Sequence, residues 1–170
     1  GADSKEAMRE IQNALPPEPL VIDKDFIAEL YKQFYGELDE VLDTPKSLSD
    51  CVGTLTKERL ATILENALQK SVAYLEQAFG LLKQPDLPQK ISQIKERLQA
   101  RAAKDFTPVC LRLTKPDCTA LTEETLKLWQ EDIGAVFDAL QTIYDAVIEE
   151  TDRLVDAYHL PVYVGNKKQK

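Results

Sequence analysis

An all-α fold, an antiparallel up-and-down bundle of four principal helices, is what this sequence predicts. Three features predict it. Apolar side chains return every three or four residues through four long stretches, the spacing of one helix face. Prolines, glycines and capping residues mark the ends of those stretches. The composition, 44% hydrophobic and 29% charged over 170 residues, is that of a globular chain. One domain is expected at this length, able to bury roughly 70% of the surface its unfolded chain exposes. Its ends are a short N-terminal helix with a proline-rich connection over residues 1–22 and an extended basic tail over 162–170.

The elements follow in order. Asp3, with Glu6 three residues on, reads as a capping box, and Met8, Ile11 and Leu15 then share one face. Pro16, Pro17 and Pro19 end that helix, because a residue before proline avoids helical dihedrals. Leu20-Val21-Ile22 is expected to be extended. Asp23 opens the second helix, striped by Ile27, Leu30, Phe34, Leu38 and Val41 and closed by Asp43-Thr44-Pro45. Gly36 inside it costs about 1 kcal/mol relative to alanine, which suggests a close helix neighbour there. Ser47-Leu48-Ser49-Asp50 leads a single turn ending at Gly53.

Thr56 caps the third helix, whose stripe runs Leu60, Leu64, Ala67, Ser71, Leu75, Ala78 and Leu82. Gly80 and Pro85 bracket its end. The fourth begins at Asp86 or Leu87 with Pro88 in its tolerated first turn, and Leu87, Ile91, Ile94 and Leu98 face inward. From about 106 to 120 an irregular loop is expected. It holds Pro108 and Pro116, and Val109, Leu111 and Leu113 alternate with Cys110 and Arg112 as in an extended segment.

Thr122 caps the last helix, and Glu123 and Glu124 suit the positive end of its dipole. Leu126, Trp129, Ile133, Val136, Leu140, Ile143 and Val147 recur at three and four, Leu154 resumes the series after Glu150, and Pro161 ends it. A seven-residue repeat of this kind favours near-parallel packing at about 20°. Val162-Tyr163-Val164 then reads as a short extended tail, expected to lie along its own bundle, with pairing to a sheet edge elsewhere as the alternative.

Charge bounds the partners. The net charge of −8 disfavours nucleic acid and anionic membrane surfaces, which recruit clustered Lys and Arg. No apolar run approaches the roughly 20 residues of a membrane span. Residues 23–50 hold eight acids and three bases, 83–115 three acids and eight bases, and 122–156 ten acids and two bases. The basic fourth helix is therefore expected between or beside the two acidic ones. The start Gly1-Ala2-Asp3-Ser4, without Met, leans toward an exported protein, periplasmic or extracellular, with a cytoplasmic one as the alternative. Of three cysteines, Cys110 and Cys118 could close a small disulfide loop and leave Cys51 over; reduced thiols fit the same count.

Familiar catalytic constellations are missing. The single histidine, His159, excludes the paired Glu-x-x-His motifs of di-iron bundles and the two-histidine helical zinc motif. No Cys-x-x-Cys pair offers a structural zinc site. The six glycines never cluster into a phosphate-cradling loop, and no Gly-x-Ser-x-Gly elbow is present. Glu149, Glu150, Asp152 and Asp156 crowd the end of the last helix. They could converge on a hard cation, and as a solvated acidic face they need no ligand.

Two features point to binding. In the second helix Phe26, Tyr31, Phe34 and Tyr35 exceed what one stripe needs, and Tyr31 and Tyr35 flank it as a surface for a protein partner or a homodimer. The alternative is burial of this pair under the loop at 106–120. The second feature is the pair Met8 and His159, the only methionine and the only histidine. Ala2-Asp3-Ser4-Lys5-Glu6-Ala7-Met8 and Ala157-Tyr158-His159 resemble the two ends of the small soluble four-helix b-type cytochromes. That resemblance implies haem iron held by Met8 and His159. It covers ten residues of 170, the three prolines cut the first helix short, and a simple up-and-down path separates the two residues. The expectation is thus a non-enzymatic binding or scaffolding domain without a cofactor; the alternative is a haem or small-ligand carrier.

Overall fold

The computed structural model describes residues 22–42, 57–113, 122–160, 162–164 and 167–168. The principal helices are α1 (Lys24–Leu42), α2 (Lys57–Gly80), α3 (Leu87–Asp105) and α5 (Glu123–Ala157), with a six-residue α4 (Thr107–Arg112) between the last two. The bundle is antiparallel throughout. Tyr31 meets Ser71 and Phe26 meets Tyr74, so α1 and α2 run oppositely. Arg97 meets Glu150 and Asp86 meets Tyr158, which does the same for α3 and α5. The ring is closed by α1 packing on α5, where Lys24 pairs with Asp152 at one end and Tyr35 reaches Gln141 further along. The expected N-terminal helix and the turn at 47–53 lie outside the described residues.

Each stripe became core. Ile27, Phe34 and Leu38 from α1, Leu60 and Leu75 from α2, Ile94 and Leu98 from α3, and Ile133 through Val147 from α5 are all buried. Thr122 caps α5 in a reciprocal box with Thr125, the backbone N–H of Thr125 donating to Thr122 Oγ1 at 3.2 Å and that of Thr122 to Thr125 Oγ1 at 2.8 Å. Asp23 Oδ1 accepts from the Asp25 N–H at 2.9 Å and starts α1. Lys83 takes a left-handed φ of 53° in the short turn between α2 and α3. His159 does the same, at 54°, just past α5. There the N–H of Leu160 returns to Val155 O and that of His159 to Asp156 O, a Schellman closure.

Four expectations are corrected. The stretch from 106 is not irregular at its start, because Thr107–Arg112 is α4, with Pro108 in its first turn and the Cys110 N–H donating to Phe106 O. Phe106, Cys110 and Leu113 are buried at spacings of four and three, whereas Leu111 is exposed. Over so few residues a helical stripe and a strand's alternation leave the same apolar pattern. The tail does not lie along the helices. Val162–Val164 (β2) pairs in parallel with Ile22–Asp23 (β1), and Lys167–Lys168 (β3) returns antiparallel, a small three-stranded sheet capping one end of the bundle.

The basic helix α3 has α2 and α5 as its main neighbours, so it flanks one acidic helix, and the acidic α1 lies against the acidic α5. Finally, Gly36 has no close neighbour. A Cβ built there, or at Gly134, meets nothing within 4 Å. Gly36→Ala and Gly134→Ala should therefore each stabilise the fold by about 0.5–1 kcal/mol, through helix propensity and a less free unfolded chain. Urea denaturation of the double variant tests this; a lower midpoint refutes it.

Candidate functional site

The outer face between α2 and α3 carries an extended concavity. Three adjoining hollows share Glu76 and Lys95 at one junction and Glu65, Leu68 and Gln99 at the other, making one groove along the helix pair. It begins at Gly80 and Pro88, near the α2–α3 turn, and ends against Phe106 and Leu111 of the α4 region. Its shape follows from the sequence. Alanines stand at exposed positions 61, 73 and 103 along the lining, so the walls stay low. Leu64, Val72, Leu98 and Ala102 make a buried apolar floor. Leu111, 65% exposed, rises at the far end.

The groove's charges are unevenly placed. Glu58, Glu65 and Glu76 line the α2 side, and Lys95 is the one cation in the lining. None of these four enters the ion pairs of the described residues. By contrast Lys24, Arg97, Arg101 and Arg153 all hold carboxylates elsewhere.

Comparison with protein-family models, curated proteins and solved structures gives no match. Function has to be argued from this chain's own surface.

The acidic end of α5 does not converge. Glu149 pairs with Arg153 at 3.5 Å and Asp152 with Lys24, while Glu150 turns inward toward α3. Among the described residues no group of three potential ligands could hold a metal ion. Glu150 is only 6% exposed, so the solvated-face reading fails for it. Its Oε1 and Oε2 accept from Arg97 Nε and Nη2 at 2.8 and 2.7 Å, a two-pronged pair, and Oε1 also faces Arg153 Nη1 at 3.3 Å. The hydrogen bond to Glu150 pushes the Arg97 guanidinium above its already high value. A signal was present: Glu150 falls on the core repeat, three after Val147 and four before Leu154.

Of the aromatic pair of α1, Tyr31 is buried and Tyr35 is part-exposed at the α1–α5 seam. Tyr31 is 1% exposed, wedged between α2 and α5: its hydroxyl lies 2.9 Å from Ser71 Oγ and its ring 5.2 Å from that of Tyr144. Tyr35 stacks on Phe137 with the rings 6.1 Å apart and donates to Gln141 Oε1 at 2.7 Å. A helix with two neighbours in a ring needs two apolar edges, and Tyr31 and, in part, Tyr35 supply the second. Helices α2 and α5 cover Tyr31, and α5 packs on Tyr35.

His159 stands exposed just beyond α5 at the sheet end, so its imidazole is outside the bundle interior. Met8 and Cys118 lie outside the described residues; Cys110 is buried in the α4 region. The buried indole Nε1 of Trp129 has no acceptor among the described residues. No described helix is long and apolar enough to cross a membrane.

Two phenols are held back from ionising. Burial pushes Tyr31 up to about 12, partly countered by its bond with Ser71. Tyr158 is also pushed up to about 12, by loss of hydration and then by donating to Asp86 Oδ1 at 2.9 Å. Burial also raises Tyr35 and Tyr74. With folded values above the ordinary 10.0, these groups contribute stability in full below pH 10, and that contribution is lost as pH rises toward about 12. Absorbance titration at the tyrosinate band should show late-ionising phenols, with unfolding free energy falling over the same window. Ionisation of all tyrosines as one group near pH 10 would contradict it.

Proposed function

We propose that this chain is a non-enzymatic binding domain that takes an amphipathic helix of a partner protein into the groove between α2 and α3. The observation that supports this is the groove's continuity. It runs along the helix pair, its floor is apolar, and its exposed alanines leave room for another helix at ordinary packing distance. The core residues pack into one buried cluster, which favours recognition on the outer surface.

The test is a 22-residue helical peptide with a leucine stripe and glutamine on both edges, titrated by fluorescence anisotropy. Saturable binding with a Kd on the order of 10–100 μM is expected, the weak end for a short helix that must order on binding. Filling the groove with Ala61→Gln and Ala103→Gln, both at exposed helical positions, should weaken it at least about tenfold. Absence of saturation, or indifference to these two changes, refutes the reading.

A further inference from the structure

We infer that the occupant of this groove is a helix bearing a row of Lys or Arg on one edge, set against Glu58, Glu65 and Glu76. This rests on the groove reading above and names the chemistry of the partner. Helical spacing carries it first. The three glutamates are separated by seven and eleven residues, close to two and three whole turns, so they form one straight rim of α2 beside the floor. The rim is about 27 Å long, the length of five helical turns.

Unused charge carries it second. The three carboxylates are on exposed residues and make none of the ion pairs of the described residues, although exposed Arg97, Arg101 and Arg153 each found a carboxylate. The opposite wall supplies only Lys95, with Ser92 and Gln99 beside it. An acidic helix seated here would meet three like charges, and a neutral one would leave them without a counter-charge. A basic-edged helix pairs with them, and the same rim steers the encounter. A complementary helix lying along α2 carries its bases seven and eleven residues apart, in that order if parallel to α2 and in the reverse order if antiparallel.

Three peptides with the same leucine stripe separate the possibilities. One edge carries Lys at positions i, i+7, i+11 and i+18, which serves both directions; the second peptide carries Glu there and the third Gln. At low salt the Lys peptide should bind about tenfold tighter than the Gln peptide, the size expected of three weak exposed pairs, and the Glu peptide weaker than both. The preference should shrink toward unity by about 0.5 M salt. In E58Q/E65Q/E76Q the Lys peptide should fall to the affinity of the Gln peptide. In E58K/E65K/E76K the order should invert. Circular dichroism and urea midpoints of both variants confirm that they fold, as these positions are on the surface. Equal binding of all three peptides, still sensitive to Ala61→Gln and Ala103→Gln, overturns the basic partner and leaves the groove reading standing. No binding of any peptide overturns both.

Discussion

Tyr31→Ala should lower the unfolding free energy by about 4 kcal/mol, the range of large aromatic truncations in packed cores. In a chain of this size that is a fall of roughly 8–16 °C in Tm. The side chain is 1% exposed and sits between α2 and α5, its ring packing edge-on to Phe34 of its own helix with centroids 5.6 Å apart and tilted against Tyr144 of α5. Removing it opens a hollow where α1, α2 and α5 meet. The hydroxyl is a smaller part. Ser71 Oγ already donates its proton to Ala67 O at 2.6 Å, so in the contact with Ser71 the Tyr31 hydroxyl is the donor. Tyr31→Phe therefore leaves Ser71 bonded and should cost only about 1 kcal/mol. Urea denaturation of both variants separates packing from hydrogen bonding. A Tyr31→Phe loss as large as that of Tyr31→Ala would mean the hydroxyl, not the ring, holds the junction.

Arg97→Ala should cost about 2–3 kcal/mol. It strands the buried Glu150 carboxylate with only Arg153 at 3.3 Å, a longer and single contact. Breaking a fully buried pair costs roughly 3–5 kcal/mol. Arg97 is 47% exposed, so water entering its vacated place softens the loss. Glu150→Gln removes the charge that needs a partner, so Arg97→Ala should cost under about 1 kcal/mol in that background. The double-mutant cycle gives the coupling directly. Additive losses would show that the guanidinium acts through its aliphatic stem alone. The pair pins α3 to α5 midway along the bundle, and it sits on the face away from the α2–α3 groove. A change in peptide binding caused by Arg97→Ala at constant fold would thus count against the groove as an independent surface.

Much of the fold was legible because periodicity and punctuation are local. The stripes from Leu60 to Leu82 and from Leu126 to Leu154 had to be buried, and Thr122, Pro88 and Asp23 mark ends by short-range hydrogen bonding or steric exclusion. Where the window shrank, the signal failed. Between Phe106 and Leu113 two turns of helix offer too few apolar positions to tell a period of 3.6 from a period of two.

The candidate site was not legible in the same way. Glu58, Glu65 and Glu76 read as ordinary solvated glutamates until α3 is laid beside α2 and the floor between them is seen. Tyr31 and Tyr35 exceed the single stripe of α1 because a helix held between two others buries a second edge, Tyr31 fully and Tyr35 in part. Glu150 stood on the core repeat in plain view, but whether a carboxylate there is paired depends on the residue opposite, and Arg97 is 53 positions away.

By itself the sequence determined the four long helices, most of their boundaries and most of the apolar side chains that leave water, since each follows from interactions within a few turns of chain. Only the tertiary structure decided which helices are neighbours, what each buried polar group faces and where a groove stays open. Those depend on contacts between distant segments, and no local periodicity encodes them.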